Sequence, residues 1–206
     1  YMRILYIDTS SSYLYTGIVC DGKLISEVQE NLQLDLSKLA LPKIAEMFSE
    51  NNLKPNDIDK IIVVNGPGSF TGIRVGLTIA KVYAWSLNIP IIPITSLEAM
   101  ACSCEEDRML VPIIDARRGY VYGAIYKDDE EILKPQHIKL ETLMEHLKDN
   151  NYVFITKDDI ALDGDKCSYK PNILKIVNKF CQKKALNPHG VNPEYLKLTE
   201  AEESRL

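Results

Sequence analysis

Apolar blocks and amphipathic stretches alternate along this chain in an order that occurs twice. Residues 2–7 are nearly continuous in apolar side chains, as suits a strand covered on both faces of its sheet. Asp8-Thr9-Ser10-Ser11-Ser12 reads as a turn, and Tyr13–Cys20 as a returning strand. Asp21-Gly22 is a two-residue hairpin signal into a third strand over 23–28. A helical period then runs from about 34 to 50, followed by a strand at 61–65 and a glycine-rich turn. A helix over Phe70–Leu87 and a strand at 89–95 complete the set. After the charged residues 105–108 the order resumes with strands at Met109–Asp115 and Tyr120–Lys127. A helix near 141–148, a strand at Tyr152–Thr156 and a helix over 172–185 follow.

Sliding the sequence by 107 residues places Ile7, Asp8, Tyr13, Tyr15, Ile18 and Asp21 on Ile114, Asp115, Tyr120, Tyr122, Ile125 and Asp128 with no gap. Each copy is an apolar strand ending in Asp, a short turn and a Tyr-rich strand, which points to a duplication. The expected fold is α/β and two-lobed, of the actin-like ATPase (ASKHA) type. It is built from duplicated strand-strand-strand-helix-strand units, with an N-terminal lobe over 2–104 and a C-terminal lobe over 105–206. In such folds ligands lie beyond the carboxyl ends of strands, where Asp8 and Asp115 are expected to face one cleft.

Composition narrows the function. The chain has 206 residues, 46% of them hydrophobic and 26% charged, with a net charge of −5, which argues against a protein that grips nucleic acid alone. Its five cysteines form no C-x-x-C pair, so a zinc knuckle or disulfide framework is not indicated. No leader pattern and no run of about 18 apolar residues is visible, and a cytoplasmic protein is expected. His137, His146 and His189 lie too far apart for two imidazoles to share a helix face, so no metal site is expected. Neither a G-x-S-x-G elbow nor H-E-x-x-H is present.

The most specific segment is residues 66–76, GPGSFTGIRVG, which follows a strand and opens a helix. Its amides have the form of an anion receptor. Its glycines equally suit a tight turn and close packing. It is neither a Walker A loop nor G-x-G-x-x-G. Together with Asp8-Thr9-Ser10, Ile114-Asp115-Ala116-Arg117, Asn192-Pro193-Glu194-Tyr195-Leu196 and Glu200-Ala201-Glu202, it resembles the bacterial TsaB family, also called YeaZ, in that family's order over nearly the whole chain. The resemblance implies a non-catalytic relative of the TsaD/Kae1 protein that binds and stabilises TsaD in making N6-threonylcarbamoyladenosine beside the tRNA anticodon. It also implies a TsaE-like ATPase joining through the complex, contact with tRNA only within the complex, and homodimers. The chain departs from the family pattern at Leu36-Ser37, where a His-Ser pair is common, and at Tyr120, where an acidic residue is common.

The alternative is a weak ATPase or small-molecule kinase of the same superfold. A vestigial phosphate site would then use Asp8, Ser10, Gly66, Gly68 and Arg74, with weak ATP or ADP and magnesium as the only cofactor; none is required by the first reading. The binding reading rests on two helices. Apolar residues of 34–50 cover about half the helical wheel, wider than one core contact needs. Pro42 is expected to kink that helix. In 70–87, Gly72, Gly76, Ala80 and Ala84 form a small-residue ridge that would admit a partner's helix. The expected partner-binding set is therefore Leu36, Leu39, Ala40, Met47, Gly72, Gly76, Ala80 and Ala84.

Overall fold

In the computed structural model, which describes residues 1–196, two five-stranded mixed sheets carry the chain. β1 (Arg3–Asp8), β2 (Tyr13–Cys20) and β3 (Lys23–Asn31) form an antiparallel meander, and α1 (Leu36–Glu50) leads to β4 (Lys60–Val64) beside β1. α2 (Phe70–Leu87) then leads to β5 (Ile91–Ile94), giving the order β3-β2-β1-β4-β5. α3 (Ser96–Ser103) follows. The second sheet comprises β6 (Met109–Asp115), β7 (Tyr120–Lys127), β8 (Glu130–Lys139), β9 (Tyr152–Thr156) and β10 (Lys166–Ser168), in the same order of pairing, with α4 (Leu140–His146) between β8 and β9. α5 (Ile173–Phe180) comes last.

Local chemistry explains these elements. Five of the six residues of β1 are buried, in keeping with its unbroken apolar run. Asp21 and Gly22 both have positive φ, 47° and 75°, the conformation a two-residue hairpin needs to follow the strand twist. α1 passes through Pro42 without interruption. Pro42 lies on the exposed side, where water can take the carbonyl that the proline leaves without a donor. α2 is capped by Ser69, whose side chain accepts from the Gly72 amide at 3.1 Å, and it stops at Asn88 in the left-handed region.

Both sheets repeat the expected topology, but the gapless match of the two copies fails in the first strand. Asp8 pairs with Tyr15, whereas Asp115 pairs with Val121 and Tyr122 pairs with Ile114. The second hairpin is tighter by one residue. Because paired residues share a face, Tyr122 stands on the face opposite Asp115, while Tyr15 shares the face of Asp8.

The single division expected at residue 104 is also corrected. The described chain forms two compact units, one of residues 1–99 with 171–194 and one of 100–170 with 195–196. α5 explains the return. It buries Ile173, Ile176, Val177 and Phe180 at helical spacing, and Ile173 closes on Gly17 of β2. Lys60 donates to the Cys181 carbonyl at 2.8 Å and Lys183 to Glu98 at 2.7 Å, tying 180–184 to the first unit. Its core gathers Leu5, Ile7, Ile44, Met47, Ile61, Val63 and Leu77; that of the second gathers Val111, Ile113, Val121, Leu143 and Phe154. No helix among the described residues is long and apolar enough to cross a membrane.

Candidate functional site

The polar turn after β1 and the glycine-rich segment before α2 meet within the first unit. Ser10 donates to the Asp8 carboxylate from its amide at 2.8 Å and from its hydroxyl at 2.7 Å. The Tyr6 hydroxyl approaches the other carboxylate oxygen at 3.4 Å. Asp8 is only 2% exposed, so its charge is held by donors from its own turn. The Ser69 amide donates to the Ser10 carbonyl at 2.7 Å, and the Thr9 hydroxyl to the Gly72 carbonyl at 2.6 Å.

The glycines are what permit this docking. A Cβ at Gly68 would collide with the Ser10 carbonyl, one at Gly72 with the Thr9 carbonyl, and one at Gly76 with the Thr9 hydroxyl. Gly66 lies under the chain's return: its Cβ would stand 2.9 Å from the Glu194 carbonyl. The Glu194 amide donates to the Asn65 carbonyl at 2.7 Å, and the Asn65 side chain to the Asn192 carbonyl at 3.1 Å. Asp8, Ser10, Gly66 and Gly68 are thus gathered around one junction whose contacts are made by the chain itself. Arg74 is aimed elsewhere, with its guanidinium 3.7 Å from the centroid of the exposed Phe70 ring. Glu200, Ala201 and Glu202 lie outside the described residues.

The expected partner set needs correction. Gly72, Gly76, Ala80 and Ala84 are all buried, the two alanines completely, because the ridge faces the chain's own β1 turn and core. Leu36 and Ala40 are buried against Leu14 and Leu32, and Met47 beside Leu5 and Ile44. Leu39 alone of the eight is half-buried.

A different surface on the same two helices is open. Leu41, Ala45, Phe48, Ile79, Val82 and Tyr83 line a groove of about 690 Å³. Leu41 is 56% exposed, Val82 58%, and neighbouring Trp85 66%. Large apolar side chains concentrated in this way mark an interaction surface more often than scattered ones do. The Tyr83 hydroxyl donates to the Pro55 carbonyl at 2.6 Å, and burial together with the Asp57 charge pushes its pKa up, so the wall of the groove stays neutral. The surplus apolar width of α1 is therefore real, with Leu41 and Ala45 supplying it. The α2 contribution was missed; the signal that could have found it is Val82 at four-residue spacing from the exposed Thr78, an apolar residue on an outward stripe. Among the described residues no three His, Cys, Asp or Glu side chains converge as metal ligands would.

Comparison with known proteins agrees with this architecture. Residues 28–201 match the family described as TsaD: tRNA N6-adenosine threonylcarbamoyltransferase. The chain is 34% identical to the tRNA threonylcarbamoyladenosine biosynthesis protein TsaB of Bacillus subtilis, over 98% of this chain and 96% of that one. It is 30% identical to the protein of the same name from Escherichia coli, over 69% and 68%. The solved structure of YeaZ from Pseudomonas aeruginosa superposes with a TM-score of 0.78 at 18% identity, over 94% of this chain and all of that one, which supports the fold.

Proposed function

The chain belongs to the TsaB family, and from that premise we propose that it is a non-catalytic subunit of the cytoplasmic machinery that forms N6-threonylcarbamoyladenosine in tRNA. Its work is to bind and stabilise a TsaD-like catalytic partner, with a TsaE-like ATPase joining through the complex and tRNA bound only there. The observation that carries the reading is the open apolar groove between α1 and α2, two helices whose opposite faces are buried in the unit's own core. Asp8 agrees with this reading, since its carboxylate is only 2% exposed and accepts two bonds from its own turn.

The test is co-purification with the TsaD relative of the same organism, with threonylcarbamoylation measured in the presence and absence of this chain. Leu41→Glu and Val82→Asp place charge in the groove at exposed positions, so stability should change by only about 0.5 kcal/mol. Association should weaken by roughly 30-fold or more, as for loss of a central apolar anchor. Wild-type co-elution by both variants would show the wrong surface has been chosen. A homodimer through the same groove would be weakened in parallel.

The rival reading, a weak ATPase or small-molecule kinase, makes an opposite prediction. The glycine segment receives the chain's own turn, so ATP or ADP with magnesium is expected to bind the lone chain at or above about 0.1 mM, roughly −5.5 kcal/mol. Micromolar affinity with measurable hydrolysis in calorimetry and a phosphate-release assay would favour the rival.

A further inference from the structure

The second unit gathers a group of side chains that the sequence keeps apart. In the register of β7 with β8, Tyr120 lies opposite Lys139 and Tyr122 opposite His137. The rings form a ladder. Tyr120 stacks on His137 at 4.6 Å with planes 3° apart, and Tyr122 meets the same His137 ring at 5.5 Å and 50°. The Lys139 ammonium stands 5.9 Å from the Tyr120 centroid. The turn leading into Tyr120 is Arg117-Arg118-Gly119, with both arginines exposed. The Arg117 side chain is 87% exposed and forms a solvent-facing ion pair with Asp115 at 3.3 Å, one that an RNA phosphate would have to compete with.

The backbone of this turn is unusual. Arg117, Arg118 and Gly119 have φ of 68°, 54° and 78°, three left-handed residues in succession. Glycine or asparagine would hold that conformation with less strain, which is on the order of 1–2 kcal/mol for a residue with a Cβ. The corresponding turn of the first unit, 9–12, contains no positive φ and no cation. The two copies have therefore diverged at this point, one into a polar turn that packs on glycines and the other into a strained turn that presents two guanidinium groups.

We propose that Arg117, Arg118 and Lys139, with the ring of Tyr120 between them, form an RNA-contact patch that engages a looped strand of tRNA when the partner complex holds it. Cations at this spacing position phosphates, and the face of the Tyr120 ring turned away from His137, at the start of β7, receives an unpaired base by stacking. The surroundings set the side of approach. Arg118 and Lys139 also rim a pocket of about 480 Å³ shared with Glu141 and Asp163, whose charges repel a phosphate, so the strand lies on the Tyr120 side. With three cations on a chain of net charge −5, the patch adds to RNA held by a partner and does not capture RNA by itself. The inference rests on the accessory-subunit reading.

The experiment titrates an unmodified tRNA transcript against the pair of this chain with its TsaD relative, and against this chain alone, at several salt concentrations. Arg117→Ala, Arg118→Ala and Lys139→Ala are combined in one variant, and Tyr120→Ala is made separately. Size-exclusion chromatography reports pair formation independently. The triple variant should lower the slope of log affinity against log salt by about 2, at roughly 0.7 per phosphate contact on a single strand. Tyr120→Ala should weaken binding about tenfold with the slope unchanged. An equal loss of charge at exposed Lys23, Lys54 and Lys148 should do neither. Unchanged affinity and slope in the triple variant, or an equal effect in the control, overturns the patch. So does a triple variant that breaks the pair, which would make this surface a protein interface. Failure of the wild-type pair to form at all removes the accessory-subunit reading first and the patch with it.

Discussion

Ala80→Glu should unfold the first unit, not merely loosen a surface. Ala80 has no exposed area and lies among Leu5, Ile7, Ile61, Val63 and Ile73. Glutamate brings a carboxylate into that cluster with no cation among the cluster's residues, and its volume has no void to enter. An uncompensated buried charge costs about 3–5 kcal/mol, and overpacking adds to it. Against a total stability of about 5–15 kcal/mol, the melting temperature should fall by roughly 10–20 °C, or no cooperative transition should remain. Circular dichroism during heating reads this directly. Trp85→Glu, one turn on but 66% exposed, should melt as the wild type does. Similar melting of the two variants would mean that the orientation of α2 is wrong.

That contrast marks what the sequence could and could not convey. Periodicity located β2, β6, β7, β9 and both ends of α2, because apolar alternation and caps are local signals. The duplicated topology was legible for the same reason. The strand register was not, since a gapless match of Ile-Asp to Ile-Asp cannot show that a turn has tightened by one residue and reversed the face of Tyr122 relative to Asp115. α3 and β10 escaped notice, and β8, implied by the repeated unit, was given no range. α3 carried a signal that was overlooked, the capping box of Thr95 with Glu98, whose two reciprocal bonds are 2.7 and 3.1 Å; β10 is a three-residue strand whose pairing with β9 alone defines it.

The small-residue ridge of α2 shows a subtler limit. Gly72, Gly76, Ala80 and Ala84 at four-residue spacing do signal a close approach, and a close approach is what the structure contains. What approaches is the chain's own Thr9-Ser10 turn, 63 residues away in sequence for the Thr9–Gly72 bond, and no local pattern distinguishes that from a partner's helix. Likewise the basic pair Arg117-Arg118 stood isolated in sequence. Lys139 and His137 joined it only through the pairing of β7 with β8.

Gly72→Ala tests the docking of that turn by reversing an ordinary expectation. Gly72 is within α2, where replacing glycine by alanine normally stabilises a helix by about 1 kcal/mol. Here the new Cβ points at the Thr9 carbonyl, a backbone atom held by the β1–β2 hairpin and unable to rotate aside as a side-chain end would. The Thr9 hydroxyl donates to the Gly72 carbonyl at 2.6 Å, so moving the turn also breaks a buried hydrogen bond. The steric and hydrogen-bond losses together should outweigh the helical gain and leave a net destabilisation of about 2–3 kcal/mol, within the range for overpacked cores. The midpoint of urea unfolding should fall with its slope unchanged, because the surface exposed on unfolding is the same. Gly190→Ala, where a Cβ meets nothing within 4 Å, is the matched control and should leave the midpoint in place. A Gly72→Ala protein as stable as wild type would show that the turn does not rest on α2, and with it would fall the reading of the glycine segment as a packing surface.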